Sequence, residues 1–450
     1  MLRIILSTLI IGLLSLPAMA NSLEHLESMI QPQQVEEDLT AWLEWLDKTH
    51  PDLSYTLGDV DGFYQNIESL KKDIKEPISI RQLWRKLTVL NSQLSDGHTG
   101  IVFDSTRKLT QQHLENGGGI FPFALVFDDS KLVITDKVDG KPSKLKGYSI
   151  KKINGMAIEQ VLQPLLARMH GDSLRHRKAL LAKRFASYYW LYFGNEKEFV
   201  IDVVNPKGKI NINNVEVAAS QAPLSMDKVF EHSYQFDILD ADTAKLVIKK
   251  FNWPNRERYF TFMESAFKQM KERKIKKLII DIRENGGGDD DMWKEGIVKY
   301  IATQPWRHGS TYKVKIIEGR QSEENKLGEV VAGELEANNQ VVLDNPYRFE
   351  GEVYVLIGAY TYSSSILFAN TVQDHGFATL VGEATGGKSG QTGGLQEFTL
   401  PNSQLVVFAP RFLLARPKGG QHKEAVQPDI KLSYDKVEPE QLVEQLMTRW

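Results

Sequence analysis

Two uninterrupted apolar runs constrain this chain most: Leu278-Ile279-Ile280, within Lys277 to Arg283, and Val353-Tyr354-Val355-Leu356-Ile357. Neither alternates polar with apolar side chains, so each reads as a strand covered on both faces, the situation of a sheet packed between helices. A helical period from Glu257 to Arg273 separates Leu246-Val247-Ile248 from the first run, and a second helix is predicted from near Ser363 to about Asp374. From about Asp237 onward strands and helices alternate, which predicts an α/β layer domain. Thr379-Leu380-Val381, a glycine-rich loop from Gly382 to Gly394, and β segments around Phe398 and from Leu405 to Phe408 complete it, while the polar, poorly periodic stretch Gln304 to Asn345 reads as an insertion over one face.

The preceding half is patterned differently. Leu39, Trp42, Leu43 and Trp45-Leu46, then Leu83, Leu87, Leu90 and Leu94, recur at helical spacing and predict a helical N-terminal domain over 21–115. After Gly117-Gly118-Gly119 the period becomes two, through Phe121, Phe123, Leu125 and Phe127, so 116–235 is expected to be β-rich, with a basic helical segment from Ser173 to Phe185. Gly147 to Gly155 followed by Ile158 to Leu162 resembles the strand, turn and helix of a PDZ domain, with Tyr148 where that pattern carries Asp. The α/β layer domain is then expected over 236–450.

Residues 1–20, MLRIILSTLIIGLLSLPAMA, have one Arg, an apolar stretch and a small-x-small end, so they read as a secretory signal cleaved after Ala20. Export predicts a periplasmic or secreted protein without stable membrane insertion. The chain has no cysteine, which excludes disulfides, thiolate catalysis and Cys-based zinc sites. With 450 residues, 42% hydrophobic, it can bury large cores, and a formal charge of -3 leaves no footprint for nucleic acid.

Three segments concentrate chemistry. Ser95-Asp96-Gly97-His98-Thr99 ends the helical region on a turn and carries a histidine, the side chain best suited to proton transfer near neutral pH. Leu278 to Gly288 ends a buried strand in Gly286-Gly287-Gly288, whose unshielded backbone N–H groups suit an oxyanion hole. No Gly-Lys-Thr or Gly-Lys-Ser closes that loop, so it is not read as a phosphate cradle, and Asp289-Asp290-Asp291 is read as a solvated helix start, not a metal site. Thr361-Tyr362-Ser363-Ser364-Ser365 places Ser363 between a buried strand and a helix start, where it is either a helix cap or a nucleophile. Lys388, after Gly386-Gly387, is able to serve as base if burial lowers its pKa.

Together, and in this order, these segments resemble the C-terminal processing (tail-specific) peptidases and the related tricorn-core and interphotoreceptor retinoid-binding-protein domains. The resemblance rests on Asp96 to Thr99, on Leu278 to Gly288, and on Ser363 to Ser365 with Val381-Gly382-Glu383-Ala384-Thr385-Gly386-Gly387-Lys388. It implies a crotonase-like ββα spiral core and a serine nucleophile, Ser363. Tail-specific relatives imply Lys388 as base. Tricorn-like relatives imply His98, with Ser95 in support and Glu424 as orienter. Gln391 stands three residues past Lys388 where that family has four, and Ile366 stands where tail-specific members have Glu, which favours the histidine. The expected oxyanion donors are Gly286 or Gly287 and Ser364. The reading is therefore an exported serine endopeptidase acting on peptides or unfolded protein, needing neither cofactor nor metal, with its oligomeric state not written in the sequence. Its rivals are a ligand- or peptide-binding module on the same fold and, last, a β-lactamase-like site built on Lys388-Ser389-Gly390 and Ser69-Leu70-Lys71-Lys72.

Overall fold

The computed structural model describes residues 22–205, 212–222, 229–420 and 423–449, so the signal segment lies outside the described residues. At its centre is a six-stranded sheet ordered Tyr234–Ile238, Thr243–Ile248, Lys277–Asp281, Glu352–Ile357, Thr379–Gly382, Ile430–Lys431. The first pair is antiparallel and every later pair parallel. All six residues of Thr243–Ile248 are buried, as are Leu278, Ile279, Ile280, Val355, Leu356 and Ile357, which explains the unbroken apolar runs. Helix Arg256–Glu272 covers one face through Tyr259, Met263, Phe267 and Met270, and helix Gln441–Met447 covers the other through Leu442 and Leu446. The chain is thus a mixed α/β fold.

A second sheet, Val330–Glu334, Thr311–Lys315, Val406–Leu414 and Gln391–Thr399, is antiparallel throughout. Its first two strands come from the polar stretch expected to be an irregular insertion. Burial patterns there are half-exposed, so the apolar signal that betrays a covered strand is weak. Gly100–Val102, which immediately follows the histidine segment, pairs with Val406–Phe408 of this sheet. That pairing carries His98 across to the C-terminal half.

The N-terminal part is helical, with Pro32–Thr49, Val60–Asp73, Ile80–Leu87 and Thr106–Glu115 as its longer helices. The middle part is an antiparallel sheet, Phe123–Asp128, Lys131–Lys137, Ser149–Ile153, Glu198–Val204, Ile212–Ala218, with helices Ile158–Ala167 and Leu174–Phe193. The basic segment therefore extends eight residues beyond its predicted end at Phe185. One apolar core runs through both parts, from Leu26 to Val203, and takes in Leu400, Leu405, Val407 and Ala409 from the second sheet. No helix among the described residues is long and apolar enough to cross a membrane.

Candidate active site

Parallel strands Lys277–Asp281 and Glu352–Ile357 end side by side, and the loops that leave their carboxyl ends form the site, as expected of an open α/β sheet. The two loops are stitched together. Thr361 Oγ1 donates to the Ile282 carbonyl at 3.0 Å and accepts from Gly358 N–H at 3.0 Å, while Tyr362 N–H donates to the Asn285 carbonyl at 3.1 Å. Under the first loop, buried Asp281 accepts from Arg283 through both carboxylate oxygens.

Ser363 follows with φ 55° and ψ -126°, a left-handed backbone that a residue with a Cβ seldom adopts. It sits in the N-cap position of helix Ser364–Asp374, but its side chain makes no capping bond. Its Oγ lies 2.9 Å from His98 Nε2 instead. The turn tolerates this only because residue 287 is glycine: a Cβ there would lie 2.7 Å from Ser363 Cβ, and Gly287 itself has φ +107°.

His98 arrives because the short helix Asn91–Leu94 ends on Ser95 at φ 47°, releasing the chain into a loop before strand Gly100–Val102. Its Nδ1 faces two hydroxyls, Thr392 Oγ1 at 3.1 Å and Tyr362 Oη at 3.3 Å. Thr392 donates to Asp96 Oδ1 at 2.8 Å, and Tyr362 donates to Asp172 Oδ1 at 2.8 Å. Each hydroxyl has spent its single proton, so it offers His98 a lone pair and Nδ1 must be the protonated nitrogen. Nε2 is then bare toward Ser363, the tautomer a general base requires.

Asp96 also accepts from His98 N–H at 2.9 Å and from Thr99 Oγ1 at 2.7 Å. His50 Nε2 stands 3.8 Å away, beyond hydrogen-bond range but close enough for charge to act. Burial works to raise the Asp96 carboxyl, but His50, His98 and Thr99 outweigh it and hold the carboxyl well below the usual range. A buried anion therefore stands behind the histidine.

Lys388 lies elsewhere. Its Nζ donates to the Ser95 carbonyl at 2.7 Å, and its backbone N–H donates to Asp172 Oδ2 at 2.8 Å. Ser95 thus contributes a carbonyl to Lys388. Glu424 does not orient His98: its carboxylate is exposed, its carbonyl accepts from Ser389 N–H at 2.7 Å, and the adjacent Ala425 pairs with Lys388 as an isolated bridge. Thr392 and Asp96 occupy the place expected of Glu424. Asp96 stood in the sequence as a turn residue, and Thr392, in a strand, carried no signal of its own.

Among the expected oxyanion donors, Ser364 begins a helix, where its N–H has no intrahelical partner. Its hydroxyl donates to Asp290 Oδ1 at 2.5 Å and accepts from Trp293 Nε1 at 3.0 Å. Gly286 is exposed beside it. Gly287 N–H is taken by Asn285 Oδ1 at 2.9 Å in an Asx turn, so Gly287 contributes closeness to Ser363 in this state and not a free donor. Asp289 caps the following helix and pairs with Arg256, in keeping with a solvated helix start. No group of three or more potential metal ligands occurs among the described residues. Ser69 sits exposed on helix Val60–Asp73 with its hydroxyl on the Gln65 carbonyl, so the β-lactamase-like pairing with Lys388 is not assembled.

An α/β fold that aims a histidine at a serine on a strained strand-to-helix turn has the layout serine hydrolases use for acyl transfer. Residues 242–432 match the model of Peptidase family S41. No curated protein matches the chain. Among solved structures it is similar to mature CPAF complexed with lactacystin, at 14% identity over 93% of this chain and 97% of that one, with a TM-score of 0.65. A CPAF mutant matches at 13% identity over 92% and 96%, with a TM-score of 0.66. The photosystem II D1 C-terminal processing protease matches at 17% identity over 89% and 93%, with a TM-score of 0.47.

Proposed function

We propose that the protein is an exported serine endopeptidase in which His98, and not Lys388, is the base. The observation that carries this is the 2.9 Å approach of His98 Nε2 to the hydroxyl of the strained Ser363. Ser363 Oγ gives its proton to His98 and bonds to the peptide carbonyl carbon. The oxyanion is received by N–H groups of Ser364 and of the glycine loop. The imidazolium, held through Thr392 by Asp96, then passes the proton to the leaving amine as the C–N bond breaks. A water molecule, activated by the same histidine, hydrolyses the acyl-enzyme and restores the serine. Lys388 acts through the Ser95 carbonyl and so helps to shape the loop that carries His98.

Unfolded or peptide substrates fit this reading because an extended chain most readily presents its backbone carbonyl to a half-buried serine. The central sheet is read as crotonase-like, and the middle sheet with helix Ile158–Ala167 as PDZ-like. Incubation with a disordered protein tests the activity: the wild type cleaves internally and Ser363→Ala does not. Cleavage that survives Ser363→Ala refutes the proposal, and fragments shortened only from an end refute the endopeptidase part. Labelling by a serine-directed phosphonate separates it from a binding protein on the same fold. N-terminal sequencing of the exported form tests removal of residues 1–20, with Asn21 expected first.

A further inference from the structure

The second hydroxyl facing His98 Nδ1, Tyr362, is backed by a carboxylate from outside the domain that matches the peptidase family. Asp172 lies between helices Ile158–Ala167 and Leu174–Phe193 of the middle part. Its Oδ1 accepts from Tyr362 Oη at 2.8 Å and from Gly97 N–H at 2.7 Å, and its Oδ2 accepts from Lys388 N–H at 2.8 Å. One carboxylate thus holds residues from three separate loops, at Gly97, Tyr362 and Lys388. Its neighbours repeat the pattern. Gly171 N–H donates to the Asp96 carbonyl at 3.3 Å, His170 Nδ1 donates to the Gly97 carbonyl at 3.0 Å, and Ser173 Oγ donates to the Gly386 carbonyl at 2.7 Å. Arg184 in turn donates to His170 Nε2 at 2.9 Å.

Tyr362 fits its place closely. Its ring is tilted against His98 at 4.9 Å and against His176 at 4.1 Å. A Cβ on Gly97 or on Gly387 would lie 2.5 or 2.4 Å from that ring, so both glycines are required for the slot.

We propose that Asp172 is a positioning residue of the reaction: it fixes the Tyr362 proton and thereby the tautomer and orientation of His98. The inference rests on the function proposed above. With its proton committed to Asp172, Tyr362 presents a lone pair to His98 Nδ1. If that proton turned toward the ring, it would favour the tautomer with Nε2 protonated, which has no lone pair for Ser363. Asp172 meets three donors and has nothing to donate, which an aspartate satisfies and an asparagine does not. The charged and titratable groups around the pair are Asp96, Lys388 and Tyr362 against Asp172, and His50, His170 and His176 with Asp96 around His98.

The test measures kcat and KM on a disordered protein, with the rate of phosphonate labelling, for full-length Asp172→Asn, Tyr362→Phe, the double variant and Ser363→Ala. Each single variant is expected to lower kcat and labelling roughly 10-fold to 100-fold, with KM within about 2-fold. The double variant falls no lower than the poorer single one, because both changes remove the same lone-pair presentation. Losses that multiply, losses confined to KM, or an unimpaired Asp172→Asn beside an inactive Ser363→Ala would each overturn the assignment. An active Ser363→Ala overturns the underlying function instead. If Asp172→Asn melts early, Tyr362→Phe, which removes one oxygen from a packed ring, decides the matter.

Discussion

Ser363 stands where a helix usually gains its cap, yet its hydroxyl caps nothing and turns to His98. The left-handed backbone is sustained by the bonds around it, a strain of order 1–3 kcal/mol that a cap alone would not justify. The rival bases separate at this scale. His98→Ala is expected to lower kcat by about 10³-fold or more, in line with loss of a triad member. Lys388→Ala removes one bond to the Ser95 carbonyl and is expected to cost less than about 10-fold, consistent with the modest worth of a single charged hydrogen bond. Parallel kinetics check this, and a larger loss in Lys388→Ala would return the lysine to the chemistry. His98, Ser363 and the glycine run were legible as residue types because proton transfer, nucleophilic attack and an exposed backbone each need particular side chains. Thr392 and Asp172 were not, since a strand threonine and a loop aspartate look the same whether they face solvent or a histidine.

The elements act mainly by fixing where two loops meet. Thr361 joins them with a hydroxyl that both donates and accepts, so the nearly isosteric Thr361→Val leaves the buried Gly358 N–H unpaired and the Ile282 carbonyl with only the Asn285 N–H. A loss of about 1–3 kcal/mol for the unpaired group is expected in chemical unfolding, with a fall in kcat as the turn loosens. Gly287→Ala tests the approach of loop to serine. A methyl at 2.7 Å from Ser363 Cβ, on a backbone at φ +107°, should abolish phosphonate labelling while leaving the core folded, which circular dichroism checks. The buried strands were readable because cover on both faces writes an unbroken apolar run. Strands Thr311–Lys315 and Val330–Glu334 were not, because an exposed face gives a polar, broken pattern.

For the molecule as a whole, the site is shared. The matched domain carries Ser363 and Thr392, while Asp96, His98 and Asp172 come from earlier in the chain. A fragment of residues 236–450 is therefore expected not to react with a phosphonate, and labelling equal to that of the full chain would refute the shared site. Stability should also depend on pH. His176 is buried against Tyr362 with neither ring nitrogen bonded among the described residues, and burial, then the charges of His170, His98 and Arg184, hold its pKa well below the ordinary value. Because the folded pKa is lowered, the unfolded chain takes up a proton that the folded chain refuses as pH falls below about 6.5. Stability then declines by up to about 1.4 kcal/mol per pH unit for that group. Asp96 acts in the same sense but at lower pH: its depressed pKa contributes stability above about 3.9 that is lost on further acidification. Melting between pH 7 and pH 5 should show the decline, and His176→Phe should flatten it; an unchanged slope would refute the role given to His176.

By itself the sequence determined the alternation of buried strands and helices, the glycine loop and the small set of side chains able to perform acyl transfer. These follow from periodicity and intrinsic chemistry, which are local. Which base meets the serine, and what stands behind that base, was decided by the pairing of Gly100–Val102 with Val406–Phe408 and by the segment from His170 to Ser173. Ser363 and His98 lie 265 positions apart, and Asp172 joins residues from three separate loops. Contacts of that range leave no period in the chain, so only the tertiary fold could select among the candidates.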